Sequence, residues 1–257
     1  MSFSVTNEMM AFAVAVARAA GDVIMEIYNT DFDVHSKDDG SPVTEADEKG
    51  EALIRARLKN AYPDIPFIGE EAYSAGYKPL VDGGLFWLVD ALDGTKEFIH
   101  KRGEFTVNIA LIDAGVPVFG VVHAPAKKRT FWGAHSHGAF AAEGKSAPRG
   151  ITTRTPNADG LVVVASRSHR YGEDEFLKQF TIKETVTSGS SLKFCLVAAG
   201  EADMYPRMGP TSEWDTAAGH AVLLAAGGQM TQIDGSPFVY GKDDILNPHF
   251  IAQGQPD

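Results

Sequence analysis

Apolar positions along the chain change rhythm twice, and each change predicts a different kind of element. From Met9 to Tyr28 the sequence is apolar-rich, with Thr6 or Asn7 placed to cap it, which predicts a long first helix. Thr44 to Ala61 opens on Thr44-x-x-Asp47, a variant of the capping box. It repeats small or apolar residues at Ala46, Gly50, Leu53, Ile54, Leu58 and Ala61, a second helix. His35–Pro42 between them is polar, carries Gly40 and Pro42, and reads as an exposed loop.

After Pro66 the period shortens. Phe67–Gly69 and Leu85–Val89 are short apolar strands that end directly in acids. Phe105, Val107, Ile109 and Leu111 alternate with Thr106, Asn108 and Ala110, the pattern of a half-buried strand. Asp113-Ala114-Gly115 turns that strand into Val116–Val122, and Arg129–Trp132 and Ala139–Ala142 continue an antiparallel meander. Ser146 to Gly160 is the best boundary stretch. Beyond it, elements alternate: strand Leu161–Ala165, helices Glu173–Phe180 and Ser191–Ala199, strand Ala202–Tyr205, helix Thr216–Ala226 and strand Met230–Ile233. The expected class is α/β, an α+β N-terminal half with an antiparallel sheet (1–155) joined to an α/β C-terminal half (156–257). No internal repeat or low-complexity segment is present.

Composition narrows the partners. The chain has 257 residues, of which 34 are acidic and 23 basic, a formal charge of −11. That balance argues against nucleic-acid or anionic-membrane binding through a basic surface, while leaving room for a small phosphorylated ligand held by a local donor cluster or a metal. A single cysteine, Cys195, rules out an intramolecular disulfide and fits a reducing compartment. The apolar run Met9–Ala17 stops at Arg18, at about half the length of a membrane span, and the segment before it carries Glu8 and no Lys or Arg. The expectation is a cytoplasmic protein with no integral membrane span, monomer or homodimer, with peripheral membrane association left open.

The chemistry sits at strand ends. Trp87-Leu88-Val89-Asp90-Ala91-Leu92-Asp93-Gly94-Thr95-Lys96 delivers Asp90 and Asp93 at the carboxyl end of an apolar strand. Two carboxylates this close repel unless a cation lies between them, and hard oxygen ligands favour Mg²⁺, with the Leu92 carbonyl as a further donor. Gly94 lets backbone approach a ligand, and Thr95 begins a short helical stretch with free N–H groups. The same run also fits an Asp-Gly turn that merely caps a helix. Glu70 and Glu71 follow the strand Phe67–Gly69, Asp215 stands at the start of the helix Ala217–Ala226, and Asp47 lies in a first helical turn. Each of these has a plain reading, as a surface pair or a helix-terminal charge. Three acid-bearing ends, each flanked by glycine, favour one shared cation site.

Gly69-Glu70-Glu71, Asp90-x-Leu92-Asp93-Gly94-Thr95 and Trp214-Asp215-x-Ala217-Ala218-Gly219 together resemble the three signatures of the inositol monophosphatase superfamily of Mg²⁺-dependent, Li⁺-sensitive phosphatases. Asp93–Phe98, Gly189-Ser190-Ser191-Leu192-Lys193-Phe194-Cys195 and Tyr205-Pro206-Arg207-Met208-Gly209-Pro210-Thr211 resemble its 3′(2′),5′-bisphosphate nucleotidase branch. One departure is Ala91, where the branch carries proline. The resemblance implies a layered αβαβα sandwich of the inositol monophosphatase and fructose-bisphosphatase type, with the site in a cleft between two sub-domains.

It also implies roles. Glu70, Asp90 and the Leu92 carbonyl would hold one Mg²⁺. Asp90, Asp93 and Asp215 would hold a second, with a third, looser ion near Glu70. Thr95 and Asp47 would orient and deprotonate the attacking water, with Thr44 nearby. Gly94, Thr95, Lys96, Ser190, Ser191, Lys193, Arg207 and Asp215 would bind substrate, with Arg167 and Arg170 as further cations. Lys37 would cover the site. Histidine, His220 included, is not required. The implied reaction is hydrolysis of the 3′-phosphate of 3′-phosphoadenosine 5′-phosphate, as in sulfur assimilation and nucleotide recycling. Alternatives are an inositol-phosphate, histidinol-phosphate or fructose-bisphosphate phosphatase with the same metals, a non-catalytic metal-binding protein, and a nucleotide-binding module. Intact Asp47 and Thr95 speak against the last two.

Overall fold

The computed structural model describes residues 3–37, 40, 42–166 and 172–254. Helix α1, Asn7–Tyr28, is capped by Thr6, whose hydroxyl accepts from the Met9 N–H at 3.2 Å. The segment expected as a loop contains an antiparallel pair, β1 (Val34–Ser36) and β2 (Pro42–Thr44). Every side chain of β1 is exposed, so this ladder rests on backbone pairing and leaves no hydrophobic alternation to read. Helix α2, Glu45–Ala61, opens on the Thr44/Asp47 capping box. It packs beside α1, and Ala13, Ala17, Ile24, Ile54 and Leu58 form part of their common apolar face.

A seven-stranded sheet runs in chain order: β3 (Phe67–Gly69), β4 (Phe86–Asp93), β5 (Thr106–Asp113), β6 (Val116–Ala124), β7 (Arg129–Ala134), β8 (Gly138–Glu143) and β9 (Arg149–Ile151). All neighbours are antiparallel except β3 and β4. Strand β9 lies inside the stretch expected as a boundary; paired to β8, it completes the sheet. Short helices α3 (Glu70–Ser74) and α4 (Thr95–Ile99) follow β3 and β4. The remaining strands, β10 (Leu161–Ala165), β11 (Ile182–Thr187), β12 (Met204–Arg207), β13 (Gly228–Gln232) and β14 (Phe250–Gly254), make a second sheet ordered β11-β10-β12-β14-β13. The sequence reading has neither β11 nor β14: β11 is an edge strand with no buried residue, whereas β14 alternates, with Phe250, Ala252 and Gly254 buried. The helices here are α5 (Glu173–Leu177), α6 (Leu192–Ala198) and α7 (Glu213–Ala225). Helix α5 is shorter than its predicted 173–180 span.

The layers are α1 and α2, the seven-stranded sheet, α6 and α7, and the five-stranded sheet, with the short α5 beside β10, a layered α/β sandwich as expected. Because the large sheet is covered on both faces, β5 is not half-buried as its alternation predicts. Phe105, Val107 and Ile109 join the core under α1 and α2, while Ala110 and Ile112 join the core under α6 and α7. Thr106 and Asn108 share this second face and are fully buried. Helix α7 lies so close to the sheet that a methyl group at Gly120 would sit 2.3 Å from the Ala218 carbonyl, and one at Gly133 would sit 2.7 Å from the Ala225 Cβ. Among the described residues no helix is long and apolar enough to cross a membrane.

Two histidines are built into these layers. His123 sits under Gly21 of α1 with Nδ1 3.0 Å from the Thr130 hydroxyl, and His220 on α7 has Nδ1 3.0 Å from the Tyr240 hydroxyl. Burial holds them down at about 4 and about 3, below the ordinary value near 6.5. Unfolding restores the ordinary value, so below pH 6.5 the unfolded chain takes up protons the folded one refuses. Each histidine then removes about 1.4 kcal/mol of stability per pH unit, down to its folded pKa. Replacing His220 with Gln should therefore flatten the dependence of unfolding free energy on pH between 6.5 and 5 by about one proton. An unchanged slope in denaturant titrations would show that His220 is not held neutral.

Candidate active site

Strand β4 puts two carboxylates on one face by means of a bulge. Asp90 pairs with Asn108 and Asp93 with Thr106, so three steps along β4 match two along β5. In a regular strand, side chains three apart face opposite ways. The extra residue returns Asp93 to the side of Asp90, Thr106 and Asn108. There Asp93 Oδ2 accepts the Ser191 N–H at 2.7 Å and lies 2.9 Å from the Ser191 hydroxyl and 3.3 Å from the Asn108 amide. The Ser191 hydroxyl is also 2.6 Å from the Asp215 carbonyl, which ties β4 to α7.

Two further elements bring acids to the same point. Asp215, at N3 of α7, accepts the Ser212 N–H at 2.8 Å in a capping box, and Glu70 is the first residue of α3. Glu70, Asp90 and Asp215 each offer a carboxylate oxygen, and these oxygens lie within 4.8 Å of one another. Asp90 is 3% exposed; burial, then the charges of Glu70, Asp93 and Asp215, push its pKa well above the carboxylate range. Burial followed by Asp93 and Glu70 does the same to Asp215. Burial also raises Glu70, against the pull of Lys37. The Lys37 Nζ is 2.6 Å from Glu70 and 2.7 Å from Glu71; burial works against its charge, but the two glutamates more than offset that and raise it. Carboxylates pushed up by one another form a set of hard oxygen donors that a divalent cation such as Mg²⁺ would relieve.

On the α2 side, Asp47 Oδ2 accepts the Thr44 N–H at 2.8 Å and the Thr44 hydroxyl at 2.7 Å, while Oδ1 accepts the Thr95 hydroxyl at 3.1 Å. The Leu92 carbonyl lies 3.4 Å from the same Thr95 hydroxyl. Gly94 has φ +94°, and a Cβ there would meet the Ser190 Oγ at 2.2 Å. Ser190, itself at φ +53°, places its hydroxyl 2.8 Å from the Asp93 carbonyl and 2.7 Å from that of Glu104.

A cleft of about 160 Å³ opens beside the acids, lined in part by Asp93, Gly94, Ser190, Lys193, Arg207 and Asp215. Lys193 is buried, its Nζ 2.7 Å from the Ser190 carbonyl and 5.1 Å from the Tyr205 ring centre; burial pulls its pKa down to about 8, so it stays a cation at neutral pH. Arg207 donates to the Ser166 hydroxyl at 2.8 Å and the Pro210 carbonyl at 3.2 Å. Lys96 is exposed and does not line the cleft. Arg167 and Arg170 fall outside the described residues. Ser191 is the N-cap residue of α6, yet its hydroxyl serves Asp93 and Asp215 rather than that helix. Sequence reasoning missed Asn108, Thr106 and Glu51. The first two carried a signal, polar residues inside an otherwise apolar strand; Glu51 carried one in its spacing of four from Asp47.

A family model described as the inositol monophosphatase family matches residues 6–255. The 3′(2′),5′-bisphosphate nucleotidase CysQ of Shigella flexneri is 46% identical over 243 residues, covering 91% of this chain and 95% of that protein. The protein of the same name from Buchnera aphidicola is 40% identical and covers 97% and 95%. Among solved structures, CysQ from Bacteroides thetaiotaomicron superposes with a TM-score of 0.79 at 38% identity, over 97% of this chain and 98% of that one. An inositol monophosphatase from Anabaena gives 0.77 at 27% identity, over 96% and 90%.

If the acids repel one another as their pKa shifts indicate, Asp90→Asn should stabilise the cation-free protein. The asparagine can keep the 2.9 Å bond from the Leu92 N–H while removing one charge. A gain of about 1 kcal/mol would raise Tm by about 2–4 °C. Thermal unfolding in EDTA should show that rise, and added Mg²⁺ should stabilise the variant less than the unsubstituted protein.

Proposed function

The chain belongs to the inositol monophosphatase family, and from that premise we propose that it is a 3′(2′),5′-bisphosphate nucleotidase that hydrolyses 3′-phosphoadenosine 5′-phosphate to AMP and phosphate. The observation that carries this reading is the buried Lys193 in the same cleft as Asp93 and Asp215: a substrate with two phosphates has one for the acid cluster and one for the ammonium. Near-full-length similarity to proteins named for that activity supports it.

In this reading Glu70, Asp90, Asp93, Asp215 and the Leu92 carbonyl would hold two or three Mg²⁺ ions. Bound there, Mg²⁺ would lower the pKa of a water and offset charge on the entering and leaving oxygens. The protein's own groups do the rest. Asp47, fixed by two bonds from Thr44, accepts the Thr95 hydroxyl proton, so the Thr95 oxygen can take a proton from water and pass one to Asp47. The water oxygen forms the new bond to phosphorus, the P–O3′ bond breaks, and the ribose O3′ takes a proton from solvent water as it leaves, while Asp47 returns its own proton to solvent. Direct attack of this kind inverts the phosphorus and leaves no phosphoenzyme. The Gly94 and Thr95 amides face phosphoryl oxygens, and Lys193 with Arg207 holds the 5′-phosphate by charge-assisted hydrogen bonds. A nucleotide substrate, Mg²⁺ and a lone thiol suit a cytoplasmic setting.

Phosphate release from 3′-phosphoadenosine 5′-phosphate and from inositol 1-phosphate, compared in Mg²⁺ with and without Li⁺, tests the assignment. A strong preference for the nucleotide, suppressed by Li⁺, is expected; preference for inositol phosphate would move the chain to the sister activity. Asp93→Asn should abolish turnover while leaving the fold intact by circular dichroism. Lys193→Ala should raise KM for the bisphosphate by about tenfold or more, the loss of one charge-assisted contact, with much less effect on monophosphates. Equal effects on both substrates would remove Lys193 from the second-phosphate site.

A further inference from the structure

Helix α3 presents Glu70 to the acid cluster but has no cap of its own. Its N-cap is Gly69, with extended backbone at φ −124° and no side chain to accept the first-turn N–H groups. Those groups are met from another helix. The Glu51 carboxylate accepts the Glu71 N–H at 2.7 Å on Oε2 and the Ala72 N–H at 2.8 Å on Oε1. Glu51 is 4% exposed.

Gly69 and Glu51 fit each other. An alanine would tolerate the Gly69 backbone angles, yet a Cβ there would stand 2.6 Å from both Cδ and Oε2 of Glu51. The Phe67 ring would lie 2.7 Å from the same Cβ, so the glycine is required by the carboxylate and the ring packed against it rather than by its own conformation. Glu51 also lies four residues after Asp47 on α2, so the two acids share a helix face one turn apart. One meets the Thr95 hydroxyl, and the other meets the backbone that carries Glu70.

We propose that Glu51 is a positioning residue that sets the place of the Glu70 carboxylate for cation binding by capping α3 from α2. The inference rests on the reading of Glu70 as a metal ligand. A single rigid helix then fixes both the Asp47–Thr95 pair and Glu70, and the spacing between them does not depend on the conformation of α3 alone. Outer partners of metal ligands typically cost about 10–100-fold in metal affinity when removed.

The test is Mg²⁺ titration of Glu51→Ala, Glu51→Gln and Gly69→Ala, read by thermal stabilisation and calorimetry and, separately, by phosphate release. Glu51→Ala should raise the Mg²⁺ needed for half-maximal stabilisation and half-maximal activity by about tenfold, with kcat at saturating Mg²⁺ within about threefold of the unsubstituted protein. Glu51→Gln, which keeps one acceptor oxygen, should fall between. Gly69→Ala, whose methyl group would also press on the Phe67 ring, should reproduce the loss of Mg²⁺ affinity by displacing the carboxylate, and combining it with Glu51→Ala should lower that affinity by less than the sum of the two. A lower Tm with unchanged Mg²⁺ half-saturation would overturn the proposal, leaving Glu51 a purely structural cap. So would strictly additive effects of the two substitutions. If the unsubstituted protein shows no stabilisation by Mg²⁺, the metal reading itself fails, and this inference with it; if Mg²⁺ binds but neither phosphate ester is cleaved, only the activity reading fails.

Discussion

Four carboxylates brought together in a half-closed space are the constraint that the rest of this structure serves. Glu70, Asp90, Asp93 and Asp215 arrive from three separate elements, and Asp90 is almost wholly out of water. Such a cluster opposes folding, because each charge is desolvated and faces the others. The fold offsets part of that with donors of its own. Asp90 takes the Leu92 N–H, Asp93 takes Ser191 and Asn108, Asp215 takes Ser212, and Glu70 takes Lys37. What these bonds leave uncompensated favours a cation, which would stabilise the folded chain by mass action if bound there.

Holding the acids in place explains features that would otherwise look unrelated. Close approach of α7, with Gly120 and Gly133 beneath it, lets its first turn reach β4. Burying both faces of β5 turns Thr106 and Asn108 into a polar floor under the site instead of a solvated surface. The bulge between Asp90 and Asp93 converts a sequence spacing of three into a shared direction. None of these devices contacts a phosphate group in the proposed reaction; each sets where a charged oxygen can be.

The sequence made the first-neighbour part of this design legible and hid the rest. Acids at the ends of apolar strands, the Thr44/Asp47 box and the alternating strands of the large sheet are local patterns, set by backbone periodicity and capping. The β1–β2 pair escaped because its side chains face water, β11 because it is an edge strand, and β9 because it lies among turn-forming residues. Within the site, Asp47 and Thr95 are 48 positions apart, Asp93 and Ser191 are 98 apart, and Glu51 reaches Glu71 across 20. Pairings of that length are decided by packing, and a single sequence carries no periodic signal for them. Ser191 reads as an ordinary helix cap until the structure shows its hydroxyl between the Asp93 carboxylate and the backbone carbonyl of Asp215.

The same packing decides which group is available to handle protons. Imidazoles would be the usual choice near neutral pH, but His123 and His220 are sealed in the layers and held neutral by burial. His220 shares α7 with Asp215, yet it turns to Tyr240 and Phe238 rather than to the acids. Beside the site stands Asp47 instead. Burial lifts its pKa, two bonds from Thr44 and one from Thr95 pull it back, and burial wins. A carboxylate balanced in this way accepts a proton more readily than a solvated one while still receiving a hydroxyl hydrogen bond. In the proposed reaction, proton transfer therefore falls to a hydroxyl–carboxylate pair, because His123 and His220 are committed to packing and the first turn of α2 delivers Asp47 to the edge of the cluster.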